Sequence, residues 1–80
     1  MADIKVQFGK AVRRLRGERN FSQEGFAAAA GINRAYMGKI ERGEVNISLE
    51  SIEKIAAALA LPVGKLMVEV DHERRHRDTR

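Results

Sequence analysis

The chain contains no cysteine, and no long apolar run occurs among its 80 residues. The lack of cysteine excludes a disulfide framework and a thiolate metal site. The N-terminal MADIKVQ mixes charged and polar residues with apolar ones and does not resemble a signal peptide. No segment approaches the roughly 20 apolar residues that a membrane-spanning helix needs. We therefore expect a cytoplasmic protein that does not enter a membrane.

A chain of 80 residues forms one small domain with a limited core. Such a domain often gains stability from a partner, and the simplest partner is a second copy. We predict a single domain over residues 1–70, followed by a basic C-terminal tail over 71–80. No phosphate loop, paired carboxylate site or serine–histidine–acid set is evident, so we predict a protein that is not an enzyme and needs no cofactor.

The net charge of +4 is unevenly distributed along the chain. Six basic residues lie between Lys5 and Arg19, and Arg34, Lys39 and Arg42 follow, whereas the acids come mostly later. A basic half is typical of proteins that bind nucleic acid. Ordinary solvated helix faces would account for the same charges.

Apolar side chains at three- and four-residue spacing predict five helices and no strand. The predicted ranges are 4–19, 22–30, 33–42, 48–60 and 62–70. Ser22, Asn33 and Ser48 are suitable N-caps, and Pro62 can start the fifth helix. The same spacing predicts that Leu49 faces inward from the fourth helix.

Residues 22–43 predict two short helices joined by a tight turn at Gly31. Their apolar side chains form one continuous inner face, which consists of Phe26, Ala27, Ala30, Ile32, Met37 and Ile40. This is helix-turn-helix geometry, which usually places the second helix in the DNA major groove. We therefore predict an all-α fold, a compact five-helix bundle with a helix-turn-helix.

The spacing of Gln23, Ala27, Gly31 and Met37 resembles that of the Xre/Cro-type helix-turn-helix regulators of bacteria and phages. YMGKIERG at 36–43 and SLESIEKIAAALALP at 48–62 are similar to the rest of that domain. The resemblance covers roughly residues 8–67 and implies a lambda-repressor-like DNA-binding domain. Within the family, ERGEVNISLESIEKIAAAL at 41–59 is most similar to the restriction-modification controller proteins, which are minimal dimers without a ligand-binding domain.

The resemblance implies a homodimeric transcriptional regulator that binds double-stranded DNA at palindromic, inverted-repeat operators. A controller would first activate and then repress its own gene and an endonuclease gene, and activation implies contact with RNA polymerase. Two other functions remain open: a phage-type repressor, and an antitoxin that binds a toxin protein and regulates its own operon. The basic third helix argues against a domain that has lost DNA binding.

Candidate base contacts lie on the predicted outer face of the third helix, at Arg34, Ala35 and Gly38, and at its start, Asn33. The forked guanidinium of Arg34 suits guanine, and the Ala35 methyl suits thymine or simply favours a helix. Asn33 would cap the helix or touch a base. On the outer face, Gly38 would let the helix lie deep in the groove, or it is tolerated variation.

Candidate phosphate contacts lie on the third helix and where helices begin. They are Gln23, Tyr36, Lys39, Arg42, Asn46 and Ser48. The assignment of Gln23 rests on the resemblance, in which a glutamine at this position grips the DNA backbone. Each of these residues has an alternative role as a cap or a solvated side chain.

Two structural assignments complete the sequence predictions. The resemblance implies that Arg16 pairs with Glu41 and so ties the first helix to the third. The apolar stripe of the fifth helix, too large for a small domain to cover, predicts a dimer interface. Its members are Ile47, Val63, Leu66, Met67 and Val70. The alternative is that the stripe packs internally and the protein dimerises only on DNA.

The tail contains HERRH at 72–76, which satisfies the spacing of a zinc-binding helix. A zinc enzyme also needs a third ligand and a substrate cleft, and only four residues follow His76. We therefore predict no metal site, and interpret the tail as a frayed extension of the fifth helix or a disordered basic end.

Overall fold

The computed structural model describes residues 3–78, with side chains as far as Glu73. Between these limits the chain forms five α-helices and no strand. The helices are α1 (Ile4–Glu18), α2 (Gln23–Ala30), α3 (Arg34–Glu41), α4 (Leu49–Ala58) and α5 (Val63–Asp78). The predicted all-α, five-helix architecture is confirmed.

Helix α5 is longer than we predicted. It runs to Asp78, whereas the predicted end was residue 70. Arg14 of α1 donates hydrogen bonds to Glu69 and Glu73, and the bond to Glu73 holds α5 against α1 beyond its apolar stripe. The division of the chain into a domain over 1–70 and a tail over 71–80 stays a prediction.

Helices α1 to α4 each begin directly after a residue whose side chain caps the first turn. Ser22, Asn33 and Ser48 each accept a backbone N–H from the first turn of the helix that follows, as we predicted. Helix α1 has a fourth cap that we did not predict, since the Asp3 carboxylate accepts the Lys5 N–H at 2.9 Å. These bonds satisfy N–H groups that have no partner within the helix.

Helices α1 to α4 end in the same way, with a left-handed residue just beyond the helix. These residues are Asn20, Gly31, Gly43 and Ala60, with φ between 60° and 72°. After each one, the chain turns back and donates an N–H to a carbonyl of the last helical turn, such as Leu61 N–H to Ala56 O at 2.9 Å. Asn20 and Ala60 carry a weaker sequence signal than glycine, so the left-handed turns at these two ends were not predicted, although the predicted ends at 19 and 60 lie within two residues of the observed ones.

All five helices contribute to one hydrophobic core. Helix α1 packs against α2, α3 and α5, while α2 also packs against α3 and α4. The fully buried large apolar side chains are Val12, Phe26, Met37, Ile55, Leu59, Leu66 and Val70. Helix α1 therefore packs on the inner faces of α2 and α3, the two helices of the helix-turn-helix, and leaves their outer faces exposed.

The expected positions of three apolar residues are wrong. Leu66 and Val70, predicted in a dimer interface, are completely buried in the monomer core because their face of α5 packs on α1 and α4. Leu49, predicted to face inward, is 81% exposed. As the first residue of α4 it lies at the margin of the bundle, and the inner face begins with Ile52, which packs against the core.

The C-terminal end of α3 is pressed against α1. A Cβ atom at Gly9 would lie 2.5 Å from the carbonyl oxygens of Ile40 and Glu41, so only glycine permits this approach. Just beyond α3, a Cβ at Gly43 would lie 2.7 Å from the Cα of Val6. Backbone contact at these two points fixes the orientation of α3, the predicted recognition helix.

Candidate nucleic-acid interface

The outer face of α3 carries exposed Arg34, Ala35 and Lys39, as we predicted. The Arg34 side chain is 69% exposed, and its long 3.8 Å contact with the equally exposed Glu24 restrains it little. Tyr36 is half-buried and packs its ring against the core. Three of the candidate contact residues are thus free to meet a ligand that approaches α3 from solvent.

Asn33 acts as the N-cap of α3. Its side-chain oxygen accepts the N–H groups of Ala35 and Tyr36 at 2.8 and 3.2 Å. The capping role is therefore present, and a base contact by the same residue stays a prediction.

Gly38 is buried, so our prediction that it lies on the exposed outer face is wrong. A Cβ atom there would lie 3.1 Å from Nη1 of Arg42 and 3.5 Å from Oε1 of Gln23. These two polar side chains lie across the helix at this point. The missing side chain makes room for them, which is a local reason for a glycine inside a short helix.

Arg16 and Glu41 form the predicted ion pair. Arg16 donates from Nε and Nη2 to the two carboxylate oxygens at 2.6 and 3.0 Å. Gln23 Nε2 donates to the same carboxylate at 3.0 Å, and Arg16 Nη1 donates to the Phe21 carbonyl at 3.0 Å. The Glu41 side chain is only 3% exposed. This network joins α1, α2 and α3, so Gln23 has a structural partner besides its predicted phosphate contact.

A second arginine–glutamate pair lies on the surface at the end of α3. Arg42 donates to the Glu44 carboxylate at 2.8 Å from Nε and 3.3 Å from Nη2. This hydrogen bonding lowers the pKa of Glu44 and raises the pKa of Arg42, and the charge of Lys39 lowers the pKa of Glu44 further. We did not predict a role for Glu44. The sequence did carry a signal for this pair: Glu44 is an acid two residues after Arg42, a predicted phosphate contact, and Gly43 between them favours a turn.

Asn46 and Ser48 are both exposed beside the start of α4, where we predicted a second phosphate clamp. Ser48 Oγ accepts the Ser51 N–H and donates to Ser51 Oγ, both at 3.1 Å. The capping role of Ser48 is therefore present, and the phosphate contacts of both residues stay predictions.

An apolar hollow opens where α1, α4 and α5 meet the loop before α4. Its apolar lining consists of Ile4, Phe8, Ile47, Ile52 and Met67, with Lys5 and Asn46 beside them. Two predicted interface residues, Ile47 and Met67, therefore lie together here, half-buried. Val63 is also 40% exposed, on the same helix as Met67. Ile4, 54% exposed, was not predicted.

The HERRH segment lies beside Arg14. Arg14 binds Glu69 at 3.1 Å and Glu73 at 3.2 Å, and His72 Nδ1 lies 3.8 Å from Glu69. Burial opposes the charge of Arg14, but its hydrogen bonds to Glu73 and Glu69 raise its pKa overall. Glu73 is thus engaged in a helix–helix contact, and the side chain of His76 lies outside the described residues. Up to Glu73, no group of three or more potential metal ligands comes together.

None of the helices within residues 3–78 combines the length and the apolar character needed to span a bilayer.

Comparison with known proteins assigns the fold to a family. Residues 12–66 match the Helix-turn-helix family. The control protein C.MunI of Mycoplasma sp is 40% identical over 74 residues, which are 91% of this chain and all of that protein. The control protein C.BamHI of Bacillus amyloliquefaciens is 43% identical, over 81% of this chain and 82% of that protein.

Among solved structures, the restriction-modification controller protein C.AhdI from Aeromonas hydrophila superposes with a TM-score of 0.73. It is 43% identical, and the match covers 76% of this chain and 92% of that one. This is a family of DNA-binding regulators and not an enzyme family. The chain therefore belongs to the Xre-type helix-turn-helix family of transcription regulators, and restriction-modification controller proteins are among its homologues.

Proposed function

We propose that this chain is a cytoplasmic, homodimeric restriction-modification controller that binds inverted-repeat operators. It activates and later represses its own gene and the gene of an endonuclease. The observation that carries the proposal is the exposed outer face of α3, which buried contacts hold in a fixed orientation. Relatives that are named control proteins favour this function over a phage-type repressor or an antitoxin.

In the proposed complex, α3 lies in the major groove. Arg34 grips the O6 and N7 of a guanine, and the Ala35 methyl meets a thymine or another apolar base edge. Asn33 caps the helix at the groove edge and lies within reach of a base. Gly38 lies beneath Gln23 and Arg42, where its missing side chain leaves room for theirs, and makes no base contact of its own.

Phosphate contacts position the protein without reading sequence. Two groups of side chains supply them, one around α3 and one at the start of α4. The proposed set is Gln23, Tyr36, Lys39, Arg42, Asn46 and Ser48. The exposed N-terminal end of α4 strengthens the second group, because helix N-termini attract anions.

We propose that a second copy covers the apolar hollow, with Ile47 and Met67 at the centre of the interface and Val63 at its edge. Exposed apolar surface of this kind normally marks an interface, and two-fold pairing is its commonest form. The half-sites of the operator would then lie about 34–36 Å apart, which is one turn of DNA. The proposed activation step additionally requires contact with RNA polymerase.

Selection of bound sequences from a random duplex pool tests DNA recognition and defines the operator. We expect an inverted repeat. Arg34→Ala should relax the preference at one position in each half-site and cost about 1–3 kcal/mol there. Lys39→Gln should weaken binding to all sequences equally, and the slope of log K against log salt should become shallower by about 0.9. If neither variant differs from the wild type, α3 is not the reading element.

Sedimentation tests the dimer. Met67→Lys places a charge in the hollow, and we expect it to shift the protein from dimer to monomer. Val68→Lys is the matched control, because Val68 is 43% exposed on the same helix but does not line the hollow. A monomeric wild type at tens of micromolar, or equal effects of the two variants, would contradict the interface.

Transcription from the selected operator tests the regulatory cycle. Purified protein added to RNA polymerase should raise transcript yield at low concentration and lower it at high concentration. Repression at every concentration would instead favour a phage-type repressor.

A further inference from the structure

Glu44 is an acid within a predicted phosphate-binding surface. Of the residues proposed to meet the DNA backbone around α3, Lys39 and Arg42 carry positive charge, and both act on the Glu44 carboxylate. A phosphate that approached these side chains would meet a carboxylate already in place. Neither the family assignment nor the proposed contacts explain why an acid is there.

The contact between Arg42 and Glu44 has the geometry of an arginine–phosphate contact. Two guanidinium nitrogens of Arg42 donate to two oxygens of Glu44, at 2.8 and 3.3 Å. Arginine grips carboxylates and phosphates with the same planar fork. The donors that Arg42 uses for Glu44 are therefore the donors that it would use for DNA.

The turn between the two residues is held in place. Gly43 has φ of 72°, and it packs so closely on Val6 that a Cβ atom would clash. The Glu44 N–H donates to the Lys39 carbonyl at 2.9 Å, which closes the end of α3. The backbone therefore keeps Glu44 beside Arg42, while both side chains remain about half exposed and can separate.

We propose that Glu44 is an intramolecular substitute for a DNA phosphate, which occupies Arg42 in the free protein and so lowers the affinity for DNA. The inference rests on the proposed function, since it assigns Arg42 to a DNA phosphate. Binding then exchanges one anion for another at Arg42, and the exchange releases fewer counterions than the docking of an unpaired arginine. Glu44 is thus a positioning residue that tunes affinity through Arg42.

The test compares Glu44→Gln with the wild type on a random-sequence duplex over a range of salt concentrations. Glutamine keeps the size of the side chain and removes its charge. We expect binding to tighten by up to roughly five-fold at about 0.1 M salt, the range of an exposed ion pair. The slope of log K against log salt should become steeper, by at most the 0.9 of one phosphate contact.

Two further variants separate this mechanism from a simple change of charge. Asp71→Asn removes the same charge from an exposed site on α5, which packs on α1 and α4, and should change affinity less. In an Arg42→Gln background, Glu44→Gln should have no further effect, because the arginine that it releases is gone. Circular dichroism checks that every variant is folded.

The possible results separate the two proposals. If the wild type binds no duplex DNA, the proposed function fails and the inference falls with it. If the wild type binds but Glu44→Gln is no tighter than Asp71→Asn, only the inference is overturned. It is also overturned if Arg42→Gln leaves affinity unchanged, or if the Glu44→Gln effect persists without Arg42, since Glu44 would then repel DNA directly.

Discussion

Replacement of Glu41 by glutamine should destabilise the protein strongly. The Glu41 side chain is 3% exposed and accepts two hydrogen bonds from Arg16 and one from Gln23. Glutamine preserves the shape of the side chain, but it removes the negative charge and places an NH₂ group against the N–H donors of Arg16 or Gln23. Loss of one partner from a buried ion pair costs about 3–5 kcal/mol, because the other charge stays buried and uncompensated.

The lower end of that range applies here. Arg16 is 15% exposed and keeps a hydrogen bond to the Phe21 carbonyl, so water and the backbone compensate part of its charge. We therefore expect a loss of about 3 kcal/mol. A domain of this size has a free energy of unfolding of roughly 4–12 kcal/mol, so the loss is a large fraction of the total. The melting midpoint should fall by about 12–24 °C.

Thermal and urea unfolding, followed by circular dichroism, measure the effect. Glu44→Gln is the matched control, because it removes an arginine–glutamate pair with similar hydrogen bonds that lies on the surface, and its midpoint should hardly change. The double variant Arg16→Met with Glu41→Leu removes both charges and should recover much of the lost stability. If Glu41→Gln and Glu44→Gln have the same melting midpoint, burial does not decide the strength of these pairs, and the reasoning is refuted.

Three smaller effects follow from the backbone and the surface charges. Gly38→Ala should raise the free energy of unfolding, measured in urea titrations, by up to about 1 kcal/mol, because alanine favours a helix. The atom nearest to the added Cβ is the flexible end of the Arg42 side chain, which can move aside. A loss of stability would show that Arg42 cannot do so. Ala60→Gly should raise the free energy of unfolding by roughly 0.5–1 kcal/mol, because Ala60 has φ of 60°, whereas Ala57→Gly inside α4 should lower it. By NMR, Glu44 should titrate below the ordinary carboxyl pKa, and this pKa should rise toward its ordinary value in Arg42→Gln, where the charge of Lys39 still lowers it. The stability from this pair is present above the unfolded pKa and is lost as the pH falls through the lowered folded value.

Features set by local sequence were predictable. Ser22, Asn33 and Ser48 cap α2, α3 and α4 because a capping side chain needs only the N–H groups of the next turn. Gly31 ends α2 because a left-handed residue is required there. The apolar spacing between these signals then determines which side of each helix faces the core.

Features set by neighbouring elements were not predictable. Leu66 and Met67 are adjacent apolar residues of one helix, yet Leu66 is fully buried and Met67 lies half-buried in the hollow, because α1 and α4 cover only part of α5. Gly38 has the spacing of an outer-face residue, but side chains from α2 and the end of α3 fold over it. In each case the burial depends on residues distant in sequence or on a side-chain conformation.

The two arginine–glutamate pairs at the end of α3 show how burial separates structural from functional charge. Glu41 and Arg42 are consecutive, so their side chains leave the helix in different directions, one toward α1 and the other toward solvent. The Glu41 carboxylate that faces α1 is buried against Arg16 and ties α3, the predicted recognition helix, to α1. A charge that faces solvent keeps its partner at little cost and can give it up to a phosphate. An arginine–glutamate pair therefore fixes α3 on its buried side, whereas a second such pair leaves Arg42 able to change partner on the side proposed to meet DNA.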